Sequence, residues 1–290
     1  MSRNTPLVQA FRAHGRLASC PVIDMHTHAD AYHAIYFPHP EPEGIIRSMD
    51  RCGIRLIVTT PHAALADAAY GNQVLLRLLA DHPQRILGYW YINPHYPALL
   101  EASLPRPLAT PGVFGFKIHP SGADYPIDGE GYRALFAWAD AQQLPVLAHT
   151  WQGELCGVAA CRRVAERYPA MRFILGHSCW PDWDGAIALA REFPHVYLEL
   201  TAAERMPGFV EQVVRAGQAE KLLFGTDLPW FDPNFGLGCV LSSDIDDDHR
   251  HAILHRNAER LLAERGMLPA SDEAAPTGEP GARHGRHAIL

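Results

Sequence analysis

Short apolar runs alternate along this chain with stretches whose apolar residues recur at helical spacing. The apolar runs predict strands over 22–25, 55–60, 86–92, 113–118, 145–148, 172–175, 196–200 and 221–225. Between them the spacing predicts helices over 45–52, 73–80, 131–143, 158–168, 183–192, 207–217 and 246–264, with a short, proline-flanked segment over 94–104. Strands that alternate with helices indicate βαβ units and a parallel sheet. Eight rounds in about 250 residues match an α/β fold of the (β/α)8 TIM-barrel type. An open doubly wound sheet would carry a glycine-rich loop after the first strand, and here that place holds His26-Thr27-His28.

Composition narrows the picture. The chain has 290 residues, 48% of them hydrophobic, and a net charge of −7, which argues against a nucleic-acid partner met through a broad basic face. No apolar run reaches the length of a membrane span, and residues 1–20 contain arginines without an apolar core, so neither a membrane partner nor a secretory signal is expected. The six cysteines, at 20, 52, 156, 161, 179 and 239, form no CxxC pair and read as reduced, packed thiols of a cytoplasmic protein. The expected organisation is an N-terminal extension over 1–20, one barrel over 21–267 and a disordered Pro/Gly-rich tail over 268–290. A homo-oligomer is left open.

In a (β/α)8 barrel, chemistry sits where the strands exit at their C-terminal ends. Strand one ends in His26 and His28, whose side chains share a face because strand side chains alternate. Strand four ends in Lys117 and His119, strand five in His149, strand six in His177, and strand eight in Asp227. A lone strand-end histidine is usually a packed, hydrogen-bonded residue, but agreement among five exits in one concave mouth defines a site. Imidazoles with one carboxylate suit zinc, with manganese or iron as alternatives, better than calcium or magnesium. A bound zinc lowers the pKa of its water from about 15.7 to about 7, enough to supply a nucleophile at neutral pH. A carboxylate beside that water can take its proton.

The strings VIDMHTH, GFKIHP, ILGHS, LLFGTDLPW and ILHRNAERLL resemble the amidohydrolase superfamily, in particular its amidohydrolase-related branch, over residues 20–265. That branch contains hydrolases of amides and lactones as well as decarboxylases of the carboxymuconate-semialdehyde and resorcylate type. The resemblance implies that His26, His28, His149 and Asp227 hold one divalent metal, that Asp227 also moves a proton, and that His177 contacts the water or substrate. In two-metal relatives a strand-four lysine becomes a bridging carbamate, which would add Lys117 and His177 to the ligands. One metal with an unmodified Lys117 that binds an anionic substrate group is the favoured reading, and a structural lysine is the third option. The reaction is then metal-assisted hydrolysis of an amide, cyclic amide or lactone of a small molecule. Decarboxylation on the same ligands is the alternative, and a non-catalytic barrel a remote one.

Other residues are candidates for the pocket wall. His62, Trp151, Trp180 and Trp230 follow strands two, five, six and eight and, with Lys117 and His119, could line a substrate site; the tryptophans read equally well as lid packing. Asn93 and His95 follow strand three. Glu199 reads as a buried partner of a metal ligand, and Asp24 as structural. His249, His251 and His255, with Arg250 and Arg256, read as a solvated helix face, and the acids at 244–248 as that helix's N-terminal turn.

Overall fold

A computed structural model describes residues 4–98, 100, 104–202 and 206–268. All eight predicted strands are present: β1 Val22–Ala29, β2 Ile54–Pro61, β3 Ile86–Tyr91, β4 Val113–Ile118, β5 Pro145–His149, β6 Arg172–Gly176, β7 Val196–Glu199 and β8 Leu222–Leu223. They form one parallel sheet in sequence order. Across the seam, Met25 N–H donates to the Phe224 carbonyl at 2.8 Å and His28 N–H to the Leu228 carbonyl at 2.7 Å. Asp227 N–H returns a bond to the His26 carbonyl at 2.8 Å, so the sheet curls round to a TIM barrel.

The lower half of the barrel is apolar. Ile23, Met25, Leu56, Val58, Leu87, Tyr89, Phe114, Leu147, Ile174 and Leu223 pack with Ala258, Leu261 and Leu262 of the last helix, Asn257–Glu264, which plugs the floor. Each large side chain buried there contributes about 1.5–3 kcal/mol.

Two bulges let the same strands serve the mouth. On β1, Asp24 pairs with Ile57 but Thr27 with Thr59, three residues against two. Met25 therefore stays in the floor cluster while the next residue, His26, turns into the mouth. On β4, Val113 pairs with Gly88 but Gly115 with Tyr89. Phe114 packs in the floor, and Lys117 reaches the mouth from three residues on, a spacing that a regular strand would place on opposite faces.

Some elements depart from the sequence reading. Residues 1–20 contain a helix, Pro6–His14, held by Asp247, which accepts from Thr5 Oγ1 at 2.6 Å and from Leu7 N–H at 3.1 Å. A further helix, Pro233–Ser242, was not expected, because Gly236 and Gly238 weaken its helical signal; it starts on Pro233 with Asp232 as N-cap. The predicted 246–264 helix is present but carries a π-helical stretch, Ala252–Arg256. Its solvated-face reading fails: Arg250 is fully buried against Asp247 at 3.0 Å, and the His255 side chain is only 12% exposed. Asp246 does cap that helix, accepting from His249 N–H. Residues 269–290 of the expected tail, and part of the 94–104 segment, lie outside the described residues.

Candidate metal centre

The site begins with two imidazoles held from behind. Nδ1–H of His26 donates to Glu199 Oε2 at 2.8 Å, and Nδ1–H of His28 to the Thr60 carbonyl at 2.9 Å. Each ring therefore turns its Nε2 lone pair into the mouth, where that of His26 accepts from Lys117 Nζ at 2.7 Å. Burial, reinforced by Lys117, holds His26 well below the usual histidine range and so neutral. Asp227 Oδ1 lies 3.1 Å from Nε2 of His28 and 3.6 Å from Nε2 of His26. That oxygen is buried and accepts no hydrogen bond. Burial by itself would raise the Asp227 carboxyl, but His28, His26 and His177 outweigh it and hold the group below the usual carboxylate range. Three electron-rich atoms, all within 4.8 Å of one another, thus converge without a hydrogen-bonded proton at the carboxylate. A divalent cation fits that donor set.

The backbone is bent to make this arrangement. Asp227 and His177 both adopt left-handed conformations, with φ of 62° and 65°, a strain of about 1–3 kcal/mol each that persists only where surroundings over-determine it. The glycines preceding these exits have a steric reason. A Cβ on Gly225 would strike the Glu199 carboxylate, and one on Gly176 would sit 3.1 Å from the His26 ring.

Glu199 ties the centre together. Oε2 also accepts from His177 N–H at 3.1 Å, and Oε1 accepts from Thr201 N–H and Oγ1 at 2.6 and 2.5 Å. Burial raises its pKa against these donors. Lys117, 1% exposed, places Nζ 2.7 Å from Nε2 of His26; burial draws it down to about 8 although Asp227 and Glu199 pull the other way. Nε2 of His177 lies 3.2 Å from Nδ1 of His149, while its own Nδ1 is buried without a partner. Burial lowers His177 to about 3. His149 stacks on His119 at 3.8 Å, and His119 Nδ1 accepts from Gly122 N–H at 2.9 Å.

The predicted wall residues fall on two flanks. Trp151 and Trp180 stack at 4.4 Å, with Trp151 5.0 Å from His177. Opposite, His62 stacks on His28 at 4.6 Å, donates from Nδ1 to the Asp30 carbonyl and accepts from Trp230 Nε1–H at 2.8 Å. Both its nitrogens are engaged, so it is a wall rather than a ligand. Sequence reasoning missed Tyr32 and Phe37, which pack on that His62 face from the loop after β1; two aromatics in the first exit loop were the available signal. It also missed the Thr60 carbonyl, for which a side-chain code carries no signal. His95 turns away to the Ala123 carbonyl at 2.7 Å. Asp24 ties β1 to the chain after β8, accepting from Thr226 Oγ1 at 2.5 Å. His149 is not part of the 4.8 Å donor group and stands one ring further along the rim.

A closed barrel with an imidazole–carboxylate mouth defines a class of TIM-barrel enzymes that work with a divalent metal. The family description "Amidohydrolase" matches residues 23–263, and the chain belongs to that family. No curated protein matches the chain. Among solved structures it is similar to an uncharacterised TIM-barrel protein from Bordetella bronchiseptica, with a TM-score of 0.71, 20% identity, and 84% of this chain and 99% of that one covered. It is also similar to a 2,6-dihydroxybenzoate decarboxylase from Rhizobium (TM-score 0.67, 14% identity, 84% and 99% covered). A 5-carboxyvanillate decarboxylase from Novosphingobium aromaticivorans, complexed with manganese and a nitrobenzoic acid, has a TM-score of 0.66 at 13% identity, with 85% and 97% covered. Among the described residues no helix is long and apolar enough to cross a membrane.

Proposed function

We propose that the protein hydrolyses an amide, cyclic amide or lactone of a small molecule. The observation that carries this reading is Asp227 Oδ1, an ionised, buried oxygen without a hydrogen bond beside two imidazole lone pairs. His26, His28 and Asp227 would hold one divalent cation, with His149 as the fourth residue of the set. Zinc suits these donors best, with manganese or iron as alternatives. When bound, the cation supplies a Lewis acid and acidifies water.

The side chains do the rest. Asp227 takes a proton from the attacking water and later returns it to the leaving group. Nδ1 of His177 is likewise buried without a partner and orients that water. An unmodified Lys117 ammonium holds an anionic group of the substrate, and His119, His62, Trp151, Trp180 and Trp230 bound the pocket. The net charge of −7 and the six free thiols fit a cytoplasmic enzyme whose partner is a small molecule rather than nucleic acid.

Decarboxylation is favoured by a different observation: paired aromatic flanks around a buried cation would suit a planar aromatic carboxylate, and the barrel is shared with decarboxylases of such acids. It requires a proton delivered to carbon. Burial keeps His26, His119, His149 and His177 neutral, which leaves Lys117 as the donor. Turnover of a panel of lactones, amides and aromatic acids in ¹⁸O-labelled water separates the two. Label in the carboxyl group of the organic product establishes hydrolysis, and CO2 release with no label in the organic product overturns it.

A further inference from the structure

A second group of metal-ligand atoms lies away from the mouth. Cys20 Sγ and ring nitrogens of His251 and His255 are all within 4.8 Å of one another. Cys20 precedes β1 by two residues, at the floor end of the strand, whereas His26 lies six residues further on at the mouth. The cluster joins three parts of the fold. Cys20, 2% exposed, ends the N-terminal segment. His251 closes the helix Asp247–His251, and His255 lies in the π-helical stretch that follows.

The details favour a ligand over simple packing. Nδ1 of His251 is 3.1 Å from Nε2 of His255. Nδ1 of His255 is buried and makes no hydrogen bond, although Glu259 Oε1 stands 3.0 Å from it. π-Helical turns occur often at functional sites, and this one starts directly after His251 and contains His255. The thiol is not a reactive nucleophile: burial and then Glu259 push it up to about 12. Such a group becomes a thiolate against a cation. Arg256, which lowers the Cys20 thiol, is engaged with Asp248 at 2.8 Å.

We propose that Cys20, His251 and His255 form a structural site for a zinc-type divalent cation that fastens the N-terminal segment to the last helical layer. One thiolate and two imidazoles are a zinc donor set, with Glu259 or water as the fourth ligand. Binding converts the Cys20 S–H to a metal–sulfur bond and releases its proton to solvent.

Cobalt(II) tests this directly, because thiolate-to-cobalt charge transfer absorbs in the near-ultraviolet and the mouth donors include no thiolate. The full-length protein is stripped with chelator and titrated with cobalt. The expected result is a charge-transfer band that saturates with one cobalt per chain at this site, is displaced by zinc, persists in His26→Ala/His28→Ala, and is lost in both Cys20→Ser and His251→Gln. His251 is only partly buried, so its variant tests the site without opening the core. No band in the wild-type protein at excess cobalt, or a band that survives either ligand substitution, overturns the proposal.

Discussion

The two ends of the barrel are built from the same strands and obey opposite rules. At the floor, Ile23 and Met25 of β1 meet Leu261 and Leu262, and the one polar group of that cluster, the Tyr89 hydroxyl, donates to the Met25 carbonyl. At the mouth, the next residues of the same strand, His26 and His28, are each held from behind by Nδ1 and aim Nε2 at Asp227, with Lys117 also on Nε2 of His26. Stability is concentrated where atoms fill space, and chemistry where lone pairs are aimed at one point. The bulge at Asp24–Thr27 separates the two regimes within a few residues.

The sharpest way to break this contrast is at the mouth. Asp227→Asn should lower kcat by about 10²–10⁴ while thermal unfolding stays close to wild type or moves upward, since a strained charge is removed. Near-normal turnover would end the assigned role. The mirror experiment is Leu261→Ala at the floor, expected to cost about 2–5 kcal/mol of stability. Denaturant unfolding measures it, and kcat well below the melting transition should be unchanged. A variant of the floor that abolishes metal binding in the folded state would show the two ends to be coupled.

Glu199→Gln stands between them. It keeps the shape but weakens the acceptor that fixes His26 and His177, so metal affinity should fall by about 10–100-fold, measured by competition with a chelator. Lys117→Met distinguishes the readings of that lysine. With one cation at the mouth in both proteins and a raised KM for anionic substrates only, the ammonium role holds; loss of a second mouth cation, counted apart from the Cys20 site, would assign it to a bridge.

The pH dependence probes the mouth without any substitution. Burial lowers His62 and His177 to about 3 in the folded chain. The unfolded chain takes up these protons first, near the ordinary value of about 6.5, so stability is full above that pH and declines as pH falls from about 6.5 toward 3. Each of the two contributes a slope of about 1.4 kcal/mol per pH unit in that window. Unfolding free energy measured across it at fixed salt should fall toward acid, less whatever Asp24 and Glu199, raised by burial, return below about pH 5. A flat profile would mean that the rings are already charged in the native mouth.

Much of this protein was legible in one dimension. Apolar runs located all eight strands because burial on both faces of a parallel strand demands them, and the exit residues named the mouth because a barrel displays its strand ends together. Family-like strings at the same exits added the metal expectation. What linear order could not convey is registry. The extra residues in β1 and β4 exist only relative to their neighbours β2 and β3, yet they decide that Met25 and His26, or Phe114 and Lys117, serve opposite ends. The Thr60 carbonyl behind His28 is chosen by strand pairing, not by residue type. Cys20, His251 and His255 lie more than two hundred residues apart in part, and only the docking of the last helical layer beside the entry to β1 brings sulfur and imidazole within bonding range of one ion. Composition and periodicity select which residues are buried or exposed; the closed sheet selects which of them meet.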